Sequence, residues 1–106
     1  MDIKTIQQLV AANKYQIKLH AVQHALKEGF DEQEMIKAIL NGRIIEEYPN
    51  RQRVLICGQA AVTNITLYLH VVCEQNYSDQ VEIVTAYIPD ESEWEKPPFR
   101  RKRKSK

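Results

Sequence analysis

At Asn41-Gly42 the apolar pattern of the chain changes period, and that switch constrains the fold more than any other feature. Before it, apolar residues recur at helical spacing: Ile3, Ile6 and Val10 with Leu9 and Ala12, then Leu19, Val22 and Leu26, then Met35, Ile36, Ile39 and Leu40. This is the pattern of helices that each bury one stripe. After it, residues 65–74 alternate. Ile65, Leu67, Leu69, Val71 and Cys73 point one way, and Thr66, Tyr68, His70 and Val72 the other. Period two belongs to strands. A chain with its helices first and its strands second is α+β.

Punctuation residues refine this reading. Gly29 ends the second helix, and Asp31 with Glu34 forms a capping box for the third, with Phe30 placed to staple onto Met35. Asn41-Gly42 ends that helix. Strands are predicted over residues 44–48, 53–58, 65–74 and 81–88, with a turn at Pro49-Asn50, a connection over 59–64, a turn at Asn76-Tyr77-Ser78-Asp79 and a stop at Pro89. Short links favour an antiparallel meander, so the expected architecture is N-terminal helices packed on a four-stranded antiparallel sheet. Its expected core holds Met35, Ile36, Ile39, Leu67, Leu69 and Val71. Residues 1–94 form the single domain, and 95–106, with Pro97-Pro98, form an extended, flexible basic tail anchored by Trp94.

Composition narrows the class. With 106 residues, 43% hydrophobic and 27% charged, the chain supports one core and is not wholesale disordered. No apolar run spans a bilayer, and Met1-Asp2-Ile3-Lys4 lacks a signal peptide's character. Two cysteines in apolar segments, Cys57 and Cys73, fit buried thiols in a reducing cytoplasm. The net charge of +1 is uneven: six of fifteen basic residues lie in the last seven positions, against an acidic body. That tail either tracks phosphates or is solvated.

Three histidines are the candidates for chemistry. His20 and His24 share a helix flank at i, i+4, but no third ligand accompanies them, so no metal site is predicted. His70 interrupts an apolar strand, where an imidazole needs a polar partner to offset its desolvation. Tyr68 shares its face, and Thr85 and Tyr87 share one face of the next strand. Glu46 or Glu47 joins from the first strand, depending on register. Such a cluster is either an acid–base site or a buried hydrogen-bond network. His70 is expected to bond Thr85, Tyr87 or His20.

The blocks His20-Ala21, residues 41–49, Leu69-His70-Val71-Val72 and Thr85-Ala86-Tyr87-Ile88-Pro89 occur in an order that resembles the bacterial family grouped as domain of unknown function 4258. The resemblance covers residues 17–94, and its members are similar to RelE- and BrnT-type toxins. It implies helices followed by an antiparallel sheet, metal-independent RNA cleavage and neutralisation by an antitoxin. It marks His20, Glu46, His70, Thr85 and Tyr87 as site residues. One position departs: His24 stands where the family's helix carries an arginine.

Two functions follow as expectations. The first is a cofactor-free endoribonuclease, the toxin component of a toxin–antitoxin pair. His70 and His20 would exchange protons, Tyr87 or Thr85 would position the phosphate and Glu46 would orient a histidine. Arg43, Arg51, Arg53, Arg100, Arg101, Lys102, Arg103 and Lys104 would contact RNA, naked or in a ribosome. The second is a non-catalytic module that binds protein or nucleic acid. An open cleft around the cluster favours the first, and a packed, fully hydrogen-bonded cluster the second.

Overall fold

The computed structural model describes residues 2–75 and 79–103. Three α-helices precede most of a five-stranded sheet: α1 (Ile3–Ala11), β1 (Tyr15–Ile17), α2 (Leu19–Glu28), α3 (Glu32–Asn41), β2 (Arg43–Tyr48), β3 (Arg53–Val62), β4 (Ile65–Gln75) and β5 (Val81–Tyr87). The sheet order is β1-β5-β4-β3-β2. The architecture is mixed α+β, but the expected four-stranded antiparallel sheet is incomplete. β1 adds a fifth strand, parallel to β5 at the edge. Three residues are too few to display a period, so this strand left no sequence signal.

Local chemistry explains the helix ends. Asp2 caps α1 by accepting from the Lys4 amide at 2.9 Å. Both halves of the Asp31/Glu34 capping box are present at α3, and Gly29 closes α2 at a φ of 87°. The connection expected over 59–64 is shorter. β3 continues to Val62, and only Thr63 and Asn64, both at positive φ, make the turn into β4. Two left-handed residues give the twist that a tight hairpin needs. The turn expected at residues 76–79 lies outside the described residues except for Asp79.

One face of the sheet packs on the helices through Val54, Ile56, Ala60, Leu69, Val71 and Ile83. Met35 and Ile39 are buried against it, while Ile36 and Leu67 are partly buried at its border. The helix α3 lies so close to β3 that a Cβ at Gly58 would stand 1.8 Å from the Ala38 carbonyl oxygen. Two helix expectations fail. The stripe Leu19, Val22 and Leu26 faces outward, with Leu19 69% and Leu26 67% exposed, and Leu40 is exposed as well. Instead α2 buries Ala21 and Ala25, because a helix laid close over β5 has room only for small side chains.

The other face is covered by the chain's own C-terminal segment. Residues 90–103 do not run off as an extended tail. They turn back, with a bridge between Trp94 and Arg101 and hydrogen bonds from the Glu95 amide to the Arg100 carbonyl and from the Lys102 amide to the Glu93 carbonyl, both 2.9 Å. Trp94 is 3% exposed. On this face Leu55, Cys57 and His70 are buried, and His70 lies against Pro98 and Trp94 of the returning segment. Among the described residues no helix is long and apolar enough to cross a membrane.

Candidate functional site

Strand register assembles the site. Directly opposed residues of antiparallel strands share a face. Arg43, Cys57, His70 and Tyr87 therefore form one row across β2–β5, and Glu46, Leu55, Val72 and Thr85 form the row beside it. A bulge between Ile44 and Glu46 brings Glu46 onto this outer face, which resolves the choice between Glu46 and Glu47. Tyr48, two residues on, lies on the same face opposite Arg53.

His70 is the centre and is 0% exposed. Its Nε2 lies 2.8 Å from the Pro98 carbonyl oxygen and its Nδ1 lies 3.3 Å from the Tyr87 hydroxyl. A carbonyl oxygen only accepts, so Nε2 carries the proton and Nδ1 accepts from Tyr87. The Trp94 ring meets the imidazole edge-on, with centroids 4.3 Å apart. Desolvation by this packing holds the His70 pKa below 6.5 and keeps the ring neutral, although the Pro98 bond and the Glu46 charge pull the other way. The same burial pushes the Tyr87 phenol up to about 12.

Beside it, Glu46 receives the Tyr48 hydroxyl and both arms of Arg101, from Nε at 2.8 Å and Nη2 at 3.1 Å. The hydrogen bond from Arg101 is the main reason that the Glu46 carboxyl titrates below its ordinary value. The Arg101 guanidinium also lies over the Trp94 ring, 4.7 Å from its centroid. At the far end of the row, Arg43 stacks 3.5 Å from the centroid of Phe99, which meets Tyr68 edge-on.

The structure thus brings together three of the expected catalytic residues, Glu46, His70 and Tyr87. Thr85 lies in the neighbouring row, opposite Val72. His20 is exposed on α2 and reaches His70 only through other rings. Its centroid is 6.0 Å from that of His24, which lies 6.3 Å from that of Tyr87. The departed family position, His24, faces Glu28, with Nε2 3.1 Å from Oε2. Of the cationic candidates, Arg101 is engaged by Glu46 and Arg53 stands 3.6 Å from Glu74. Arg100 stands 3.8 Å from Glu95. Arg51, Lys102 and Arg103 are exposed, and Lys104 lies outside the described residues.

Tyr48 is a site member that the sequence does not single out, and Trp94, expected only as an anchor for the tail, is a second. Alternation from Glu46 places Tyr48, and a tryptophan within a polar terminal run is the one signal for Trp94. Among the described residues, no group of three or more His, Cys, Asp or Glu side chains is placed to hold a metal ion. Both cysteines are free and buried.

The family described as "Domain of unknown function (DUF4258)" matches residues 17–88. No curated protein and no solved structure matches the chain. The matched span includes His20, Glu46, His70, Thr85 and Tyr87 but stops short of Trp94, Pro98 and Arg101, which complete the cluster.

Proposed function

The chain belongs to the domain of unknown function 4258 family, and from that premise we propose that it is a cytoplasmic RNA-binding module that uses the outer face of its sheet and the C-terminal cover. One observation carries this reading. His70 is fully buried, and both of its ring nitrogens are satisfied inside the molecule. A general base must reach the proton that it removes, and this one is occupied on both sides. The imidazole serves instead as a keystone that fixes the Pro98 carbonyl and thereby the cover. Cations placed on or beside that face, Arg43, Arg51, Arg53, Arg100, Lys102 and Arg103, meet a polyanion and release its counterions. The test is anisotropy of labelled single-stranded and structured RNA titrated with the full chain over a range of salt. Binding that weakens steeply with salt, without cleavage, supports the module, and no binding at low salt removes it.

A second reading has its own support, and it is the cofactor-free endoribonuclease of RelE/BrnT type, the toxin of an antitoxin partner. Imidazole, carboxylate, two phenols and a guanidinium stand at one place, and Arg101 supplies a guanidinium to a site whose helix carries His24 in place of arginine. In this reading the cover lifts when RNA or a ribosome binds. His70 then takes the 2′-hydroxyl proton, His20 protonates the leaving oxygen and Arg101, carried on the cover, closes back onto the phosphate. Thr85 and Tyr87 position that phosphate, and Glu46 orients the imidazole. Cleavage of RNA in chelator that grows in Trp94→Ala and disappears in His70→Gln would favour it over the module. An antitoxin partner predicts that co-expression of a neighbouring gene relieves any growth arrest.

A further inference from the structure

Next to the His70 cluster the outer face opens into a groove of about 520 Å³ between the turn at Pro49–Arg51 and the β4–β5 pair. Val72 and Val84 line it with apolar surface, and Tyr48 contributes an aromatic ring. Polar groups stand around this apolar part: the Asn50 amide, the Thr85 hydroxyl and the guanidinium groups of Arg51 and Arg53. Glu47 lies at the rim, so the charged side chains of the groove sum to one positive charge.

Arg53 is the informative member. Its Nε is buried and has no hydrogen-bond acceptor among the described residues, since the nearest carboxylate, Glu74, stands beyond hydrogen-bond range at 3.6 Å. Because the side chain as a whole is 31% exposed, Arg53 can still present donors to an anion while its Nε faces Glu74. Arg51, two residues earlier in the turn and exposed, lines the same groove.

These groups describe a ligand that is flat and apolar on its face, polar at its edge and anionic at one end. We propose that this groove binds one nucleotide of RNA, with its phosphate on Arg51 and Arg53 and its base against Tyr48 and the two valines. Asn50 and Thr85 provide the donors and acceptors for the base edge and sugar. The proposal rests on the RNA-binding reading and names the subsite that it would use. It also gives Thr85 a role as a binding residue, away from His70.

The experiment uses the full chain with two probes, uridine 3′-monophosphate followed by amide chemical shifts and a short fluorescein-labelled oligouridine followed by anisotropy. Arg51→Ala and Asn50→Ala alter exposed side chains and leave the fold intact. Arg53→Lys keeps the charge and removes the fork, and a circular dichroism spectrum checks that it remains folded. Mononucleotide shifts confined to residues 48–53, Val72 and Thr85 are expected. Arg51→Ala is expected to weaken oligouridine about tenfold and to lower the salt slope by about one. Oligouridine bound equally well by Arg51→Ala, with shifts elsewhere, overturns the groove and leaves the RNA reading standing. Mononucleotide bound in the groove without oligouridine binding supports the groove and overturns the RNA reading. Binding of neither probe overturns both.

Discussion

The two faces of the sheet are built by opposite means. The helix face is closed by aliphatic side chains, Val54, Ile56, Leu69, Val71 and Ile83, which pack against Met35 and Ile39. Non-directional burial holds it, roughly in proportion to the apolar area removed from water. The outer face is closed by a short return of the chain held to the sheet at a few directional points, His70 to Pro98 and Arg101 to Glu46, and braced within itself by the Glu95–Arg100 and Lys102–Glu93 backbone bonds. Trp94 is its buried apolar anchor, and Phe99 packs edge-on against Tyr68 beside it. The difference teaches which face is able to open: few contacts and exposed backbone bonds mark a segment of low local stability.

The comparison is easiest to break by removing one apolar anchor from each face. Leu69→Ala is expected to cost about 2–5 kcal/mol of global stability, because Leu69 is fully enclosed on the helix face. Urea unfolding measures it. Trp94→Ala deletes more surface but is expected to lower the urea midpoint less, since the cover opens ahead of the sheet. Its signature is faster hydrogen exchange at the Glu95 and Lys102 amides. A midpoint loss as large as that of Leu69→Ala would make both faces one cooperative unit and remove the contrast.

His70→Gln sharpens the contrast from within the outer face. It leaves the Pro98 carbonyl and the Tyr87 hydroxyl to be satisfied by a shorter, differently shaped side chain. A loss of about 1–3 kcal/mol is expected, the cost of an unsatisfied buried polar group. No loss would mean that the imidazole is not the keystone of the cover.

The same residue predicts a pH dependence. Its folded pKa lies below 6.5, so below pH 6.5 the unfolded chain takes up a proton that the folded chain refuses. The unfolded state then binds more protons, and stability falls as pH falls toward the folded pKa. Above pH 6.5 both states are neutral and this contribution is constant. Glu46 acts in a separate window: its contribution is present above 4.5 and is lost as pH falls through its lower folded value. Thermal melts between about pH 7 and about pH 5.5 are therefore expected to show a decline in the parent that is smaller in His70→Gln.

What could be read from the sequence follows the same division. Where a side chain acts through periodicity or a local cap, the pattern was legible: α3 with its Asp31/Glu34 box, the alternation of β4, and Tyr87 as one of the partners expected for His70. Where close approach decides, it was not. Bulky Leu19 and Leu26 resemble a buried stripe, yet the tight seat over β5 admits only Ala21 and Ala25. β1 was invisible because three residues carry no period. The C-terminal return was hidden by Pro97-Pro98 and the basic run. Its apolar residues, Trp94 and Phe99, act through partners far away in sequence, His70 and Tyr68 with Arg43. Arg101 belongs to the site for the same reason, and no spacing rule connects it to Glu46.

The smallest expected effect concerns that last pair. Arg101 and Glu46 form a two-pronged bond, but the Arg101 side chain is 57% exposed and the Glu46 side chain 24% exposed. Water screens such a pair, and holding a long side chain in place offsets part of the attraction. A double-mutant cycle with Arg101→Ala and Glu46→Gln is therefore expected to return a coupling of about 0.5–1 kcal/mol, near the upper end for surface pairs because the geometry is bidentate. Tyr48 complicates the single changes, since its hydroxyl also serves Glu46; repeating the cycle in Tyr48→Phe separates the two contributions. Salt gives the discriminating readout. Coupling that fades as salt is added identifies a solvent-screened clasp on a cover able to open. Coupling above about 2 kcal/mol that ignores salt identifies a desolvated pair and a cover as firmly seated as the helix face.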